Sequence, residues 1–309
     1  MDLRQITSLV AIADHGSFSA AARALFTVQS NISGHIARLE RELGVLLVDR
    51  TSGSVTDEGA LVVERGRRIL REFGDIGADL AALDNIATGE TRLGVIGTTG
   101  RWLMPQFLTK LQESHPGVHP IISEGGTSSL IPRLITGHID AAIVHLPVDD
   151  SELIVEPLFA EDLVLLVHGS HPWSSATTLP FSALGEYPLL LPPRSSTLRR
   201  IINRTADLSS TTLKVQAEID GVRLMASLAF EGFGPAIVPA TAIPGWLTGD
   251  FARIAIPDLP RRVVGWVERK RPRSGPPTRA AHEIAAAVIK KRGARQPGLY
   301  VGSQAFPLK

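Results

Sequence analysis

The sequence predicts an α/β protein overall: an N-terminal, all-α-type winged helix-turn-helix, one long linking helix, then a two-lobed α/β domain. Three observations carry that prediction. Residues 17–40 read as two short helices joined by a tight turn, the second with a small, polar outer face. Residues 62–83 place apolar side chains at alternating steps of four and three. From Arg92 onward, strand-like and helix-like stretches alternate, and the alternation begins again after Asp162.

Leu3, Ile6, Leu9, Val10 and Ala13 have helical spacing, so a first helix precedes the pair. Ser17 or Ser19 can cap the next helix, because a hydroxyl there accepts from amides that lack an intrahelical partner. Ala20, Ala21, Ala22 and Ala24 let that helix approach a neighbour closely, and Phe26-Thr27 make the turn. The following helix spans about 28–40, with Ile32, Ile36 and Leu39 buried and Ser30, Ser33, Gly34 and Ala37 outward, flanked by Asn31 and Arg38. In a major groove, Gln29 and Asn31 suit adenine edges, and Ser30 and Ser33 suit several groups. The pattern alone leaves open a helical hairpin that merely packs.

Residues 43–50 read as a short apolar strand and 51–54 as a turn. Thr56 then caps a long helix to about Ala87. Val62, Gly66, Ile69, Phe73, Ile76, Leu80 and Leu83 form its heptad seam, narrower than the stripe of a helix lying on its own domain, so a dimer contact is expected. Gly66, Gly74 and Gly77 weaken the helix by ~1 kcal/mol each against alanine, which makes it dependent on its partner.

In the α/β half, strands are expected at 93–97, 118–124, 140–144, 163–168, 189–191, 215–219 and 263–268, with a further strand after 232–239. Helices are expected at 102–114, 128–137, 196–203, 225–230 and 278–291. This spacing predicts parallel sheets in two lobes, with crossovers near 162–163 and 263–265. The divisions that follow are a head over 1–58, a linker helix over 59–88, and a domain over 89–292. Its first lobe takes about 91–162 and 264–292, its second about 163–263. Residues 293–309 read as a basic, solvated tail.

Composition narrows the function. The chain has 309 residues, 44% hydrophobic and 20% charged, with net charge +1. Its apolar runs are too short to span a membrane, and no secretory leader is read, so a cytoplasmic location is expected. No cysteine is present, which excludes disulfides, thiolate metal sites and thiol redox switching. Residues 1–50 are not basic, so DNA affinity must come from local placement and dimerisation rather than from a general field.

Leu3, Ile6, Phe18, Ala21-Ala22, Leu25, Gln29, Ser33, Ile36, Leu39-Glu40 and Leu43-Gly44-Val45 together resemble the N-terminal domain of LysR-type transcriptional regulators. Farther on, Leu134-x-x-Gly137-x-Ile139-Asp140, Pro157-Leu158, His171-Pro172 and the run from Gly232-x-Gly234 to Pro239 resemble that family's periplasmic-binding-protein-like effector domain. The resemblance implies double-stranded DNA as a partner, a homodimer or homotetramer joined through the linker helix, a small-molecule effector between the lobes, and contact with RNA polymerase. It implies no cofactor. The chain departs from the pattern at Gly34, where relatives commonly carry Arg, and in a short wing turn without Arg. Arg38 and Arg50 are the expected phosphate contacts.

Open α/β sheets bind ligands beyond the carboxyl ends of their strands. Three loops there, 97–100, 125–128 and 193–196, offer hydroxyls and amides, and Arg194 adds a guanidinium suited to a carboxylate. Any one alone reads as a helix cap, and three on one strand edge favour a site. Thr98, Thr99, Thr127, Ser128 and the loop near Arg194 match cleft positions of the family; His145 and Asp220 follow strands and join them as candidates. An organic carboxylate suits this set, while Asp220 favours an effector that also carries a donor. Catalysis is not expected, because no nucleophile elbow, phosphate loop or zinc-binding helix is present. His115 and His119 are separated by Pro116-Gly117 and cannot share a helical face, so no metal is expected. A bilobed solute receptor without a gene-regulatory role is the competing reading.

Overall fold

A computed structural model describes residues 1–82, 87–271, 273–302 and 305. The head is α1 (Leu3–His15), α2 (Phe18–Ala24) and α3 (Gln29–Leu43). Asp2 and Gln5 close a reciprocal capping box on α1, and Ser17 caps α2 by accepting from the Ala20 amide. Ile32, Ile36 and Leu39 of α3 meet Ile6, Leu9 and Ile12 of α1 in one small core, as their spacing predicts.

The stretch after α3 is not the expected strand. Residues 43–47 finish the helix and turn, and only one isolated bridge, Val48 to Val55, closes the wing. The cause is Glu40, a buried carboxylate on α3. Its Oε1 accepts from the Leu47 and Val48 amides at 3.0 and 3.2 Å, and Oε2 from Arg50 at 2.7 Å. Amides held by a side chain are withdrawn from a ladder.

The linker helix α4 (Asp57–Ala82) opens on Thr56, whose hydroxyl accepts from the Gly59 amide and donates to the Leu46 carbonyl. The seam residue Leu83 lies outside the described residues, and Ala87, the expected end of the helix, is not helical. The seam itself divides. Val62 is half-buried on the head core, and Gly66 is where α4 touches α1; a Cβ there would come within 2.7 Å of Ile6 Cγ2. Ile69, Phe73, Ile76 and Leu80 instead lie open, Phe73 at 60% and Leu80 at 62% exposure.

Beyond α4 come β1 (Gly89–Val95), α5 (Gly97–Ser114), β2 (Val118–Glu124), α6 (Thr127–Ile135), β3 (Ala141–His145), β4 (Leu153–Glu161) and β5 (Leu163–His168). Then follow β6 (Leu189–Leu191), α7 (Thr197–Leu208), β7 (Val215–Glu218), α8 (Val222–Phe230), β8 (Ala236–Pro239), β9 (Phe251–Ala255), β10 (Arg262–Arg269), α9 (Pro276–Gly293) and β11 (Leu299–Tyr300). One sheet runs β11-β4-β10-β3-β1-β2, the other β7-β6-β8-β5-β9. Both are mixed rather than parallel: β10 is antiparallel to β3 and β4, and β5 to β8 and β9. The chain leaves the first lobe at Asp162 and re-enters at Arg262. Strands β4, β9 and β11 were not legible, since each lies at or beside a sheet edge or takes its partner from far along the chain.

Over residues 293–302 the C-terminal segment is docked rather than frayed. The Gln296 side chain is buried and spans the lobes' junction. It donates to the Ala240 and Ile243 carbonyls at 3.0 Å each and accepts from the Gly245 amide at 2.9 Å. Leu299 and Tyr300 pair with Glu161 and Ala160. Tyr300 also donates to Asp162 at 2.8 Å, beneath the Arg261 guanidinium. Among the described residues, no helix is long and apolar enough to cross a membrane.

Candidate DNA-reading face and effector cleft

On α3, Gln29, Ser30, Asn31 and Arg38 are exposed and Ser33 is half-exposed. Two of these side chains are already aimed. Ser19 on α2 donates to Gln29 Oε1 at 2.9 Å, which leaves Nε2 to donate outward. Asn31 donates from Nδ2 to Thr27 Oγ1 at 2.9 Å, which leaves Oδ1 to accept. Val28 opens the helix with no side-chain cap, so its first amides remain available to an oxygen. Arg38 folds back through Nε to the Gly34 carbonyl at 3.2 Å, with its terminal nitrogens outward. Arg50 is tied to Glu40 and lies over the Phe18 ring.

Gly34 is on the same side with open space around it: an added Cβ would meet nothing within 4 Å. Gly34→Arg should therefore fit. It should stabilise α3 by up to ~0.8 kcal/mol through helix propensity and steepen the salt dependence of DNA binding by about one phosphate contact. Urea melts and a salt titration of binding check the two effects separately.

The fold links some of the effector candidates and leaves others apart. Helix α5 begins at Gly97, five residues earlier than expected, so Thr98 and Thr99 belong to its first turn and both are buried. Thr98 Oγ1 accepts from Arg262 at 2.9 Å, while the Thr99 hydroxyl has no partner among the described residues. Thr127 accepts from the His145 amide at 3.2 Å, and Ser128 is exposed beside it. Arg194, the expected cation of the opposing lobe, is paired within its own lobe. It is 81% exposed and drawn to Glu218 at 3.6 Å. Asp220 is exposed at the end of β7.

Two charged groups that sequence reasoning passed over organise the hinge. Glu161 is fully buried where β4 leaves the first lobe. Its Oε1 accepts from Arg262 Nε and Nη2 at 2.9 and 2.6 Å, and its Oε2 accepts from the Thr241 amide of the second lobe at 2.8 Å. The pair thereby links α5, both hinge strands and the second lobe. A further charged group, Arg200 on α7, acts from the second lobe. Burial, then the charges of Arg262 and Arg200, hold the His145 imidazole down to about 4. The only sequence signal for these groups was charge at strand and helix ends.

His145 is thus neutral in the folded protein over the range in which an unfolded histidine charges. Between about 6.5 and 4 the unfolded state binds the extra proton. The stabilising effect is complete above pH 6.5 and fades as pH falls towards 4, with a total on the order of 3 kcal/mol. Urea melts across pH should show His145→Gln losing less stability than the natural protein over this window.

Arg223 on α8 reaches Glu124 at the end of β2, 2.8 Å away, so the lobes also touch at the cleft edge. A cavity of about 560 Å³ lies elsewhere, at the junction of head, linker and first lobe, lined by Asp14, Arg67, Arg92, Arg133 and Arg273 among others.

Residues 3–60 match the family described as "Bacterial regulatory helix-turn-helix protein, lysR family", and residues 85–290 match "LysR substrate binding domain". The chain is similar to the DNA-binding transcriptional dual regulator OxyR of Escherichia coli K12, 30% identical over 298 residues, covering 94% of this chain and 96% of that one. It is 33% identical over 247 residues to a probable hydrogen peroxide-inducible genes activator of Mycobacterium leprae, covering 77% and 78% of the two chains. Full-length OxyR from Pseudomonas aeruginosa superposes with a TM-score of 0.75 at 25% identity, over 94% of this chain and 95% of that one. CbnR bound to its target DNA has the same fold, with a TM-score of 0.69 at 23% identity over 93% and 100%. With both of its domains matched and relatives aligned along nearly its whole length, this chain belongs to the LysR family of DNA-binding transcriptional regulators.

Proposed function

We propose that Gln29, Ser30, Asn31 and Ser33 read base edges, that Arg38 and Arg50 hold phosphates, and that a small organic carboxylate in the cleft sets the regulator's state. The observation that carries the first part is the outward face of α3, where Ser19 and Thr27 pre-orient the Gln29 and Asn31 amides. The seam from Ile69 to Leu80 joins two subunits, and four such subunits or a contact with RNA polymerase extend the same scheme. Gln29→Ala should relax preference at one position of each half-site by ~1–3 kcal/mol. A footprint unaltered by replacing all four face residues sinks this assignment.

For the cleft, the support is a set of hydrogen-bond donors around its floor, where the charge of Arg262 is itself compensated by Glu161. Arg262 Nη1 has no bonding partner among the described residues, Arg200 stands on the opposing lobe, and the first-turn amides of α5 and α6 have no side-chain cap. Arg200 replaces Arg194 as the opposing cation. An anion held from both lobes rewards closure, and it can shift the lobes only by its differential affinity for the two states. Relatives are named for hydrogen peroxide induction, but a chain with no cysteine has no thiol route to it. Carboxylates compared with matched amides by thermal shift decide the class. The acid should raise the melting temperature with concentration, and Arg200→Ala should remove that preference. Equal shifts from acid and amide would leave a neutral effector.

A further inference from the structure

Phe26 occupies the turn between α2 and α3 with φ of +52°, and its ring is 98% exposed. Left-handed backbone disfavours a bulky side chain, and helix ends of this shape usually take Gly or Asn. The turn does not need the ring: its bonds are backbone ones, from the Phe26 amide to Arg23 at 3.2 Å and from Thr27 to Ala22 at 2.9 Å. Packing does not need it either, since almost the whole ring faces outward.

The next exposed apolar residue repeats the pattern. Val28 is the N-cap of α3, where Ser, Thr, Asp or Asn would satisfy an orphan amide, and it is 59% exposed. Two local misfits within three residues, both apolar and both outward, adjoin Gln29 and Ser30 at the N-terminal end of the reading helix. Such conflicts between local preference and sequence mark functional positions. In a docked helix-turn-helix this end of the second helix meets base edges in the major groove. The apolar feature available there is the C5-methyl of thymine.

We propose that Phe26 and Val28 form an apolar reader that selects thymine methyl groups beside the bases contacted by Gln29 and Ser30. The inference rests on the DNA-reading role of α3 argued above. It assigns part of the sequence preference to shape and methyl contact rather than to hydrogen bonds.

The full-length protein, incubated with a random duplex pool, should enrich a thymine-containing sequence. Each thymine of that sequence is then replaced by uracil, which deletes the methyl and keeps the hydrogen-bonding edge. Natural protein should lose roughly fourfold in affinity at one or two positions of each half-site, the scale of one buried methyl. Phe26→Asn, which retains a residue tolerant of the left-handed turn, should bind thymine and uracil duplexes alike at one of them while melting no lower than the natural protein. Val28→Ser, which keeps a residue suited to the N-cap and removes both methyls, should do so at the neighbouring position. Indifference of the natural protein to every exchange, or unchanged discrimination by both variants, overturns the proposal with DNA reading intact. Failure to enrich any sequence overturns the reading role of α3 and this inference together.

Discussion

Replacing Arg262 with methionine should cost ~3–5 kcal/mol, because it leaves an uncompensated carboxylate in the hinge. Glu161 is inaccessible to solvent, and Arg262 supplies two of the three hydrogen bonds it accepts. Methionine fills much the same volume but donates nothing. The loss should fall on both lobes at once, since Arg262 also anchors Thr98 at the start of α5 while Glu161 holds the Thr241 amide of the second lobe. Removing both charges, as Arg262→Met with Glu161→Leu, should recover much of the stability, because a buried pair offsets its own desolvation only narrowly. Urea denaturation of the two single variants and the double variant reads the coupling directly. A single variant as stable as the natural protein would contradict the assignment of this pair as the hinge's anchor.

The second large effect is expected on assembly. Phe73→Asp with Leu80→Asp should abolish the oligomer, because both residues are exposed in the isolated subunit and like charges facing each other across a symmetric contact cost several kcal/mol. Neither residue belongs to the buried head core, so α1 to α3 should fold unchanged. Operator binding should nevertheless fall by ~10²–10⁴, the advantage that linking two half-site readers confers. Sedimentation should show a smaller species with natural helical content. Survival of both assembly and operator affinity would mean that the stripe packs within its own subunit.

Local pattern sufficed for most helices, for the central strands and for the family resemblance. The steps among Ile32, Ile36 and Leu39 report which side of α3 is buried, and a helix reveals its buried side within two turns of sequence. The apolar stripe from Ile69 to Leu80 is equally visible in the sequence, and in the single subunit it is exposed. Where the sequence was silent, the deciding partner lay far away or belonged to a side chain. Residues 43–50 look like a strand by composition, but the Glu40 carboxylate takes the Leu47 and Val48 amides before a ladder can. The C-terminal segment looks solvated by its charge, yet Gln296 finds carbonyls more than fifty positions earlier.

Charge showed the limit most plainly. Arg194 and Arg200 both follow the same strand, and only the folded chain turns one towards Glu218 and leaves the other to bear on His145. Glu161 and Arg262 meet across 101 positions, brought opposite each other by the register of β4 on β10. The sequence by itself determined where most helices lie, which of their faces are apolar and which family the chain resembles, because those follow from periodicity along a local element. Tertiary structure alone decided which charges are paired, which hydroxyls are enclosed and where the terminal segment docks, because electrostatic and edge-strand partners are chosen by distance in space, and periodicity carries no record of it.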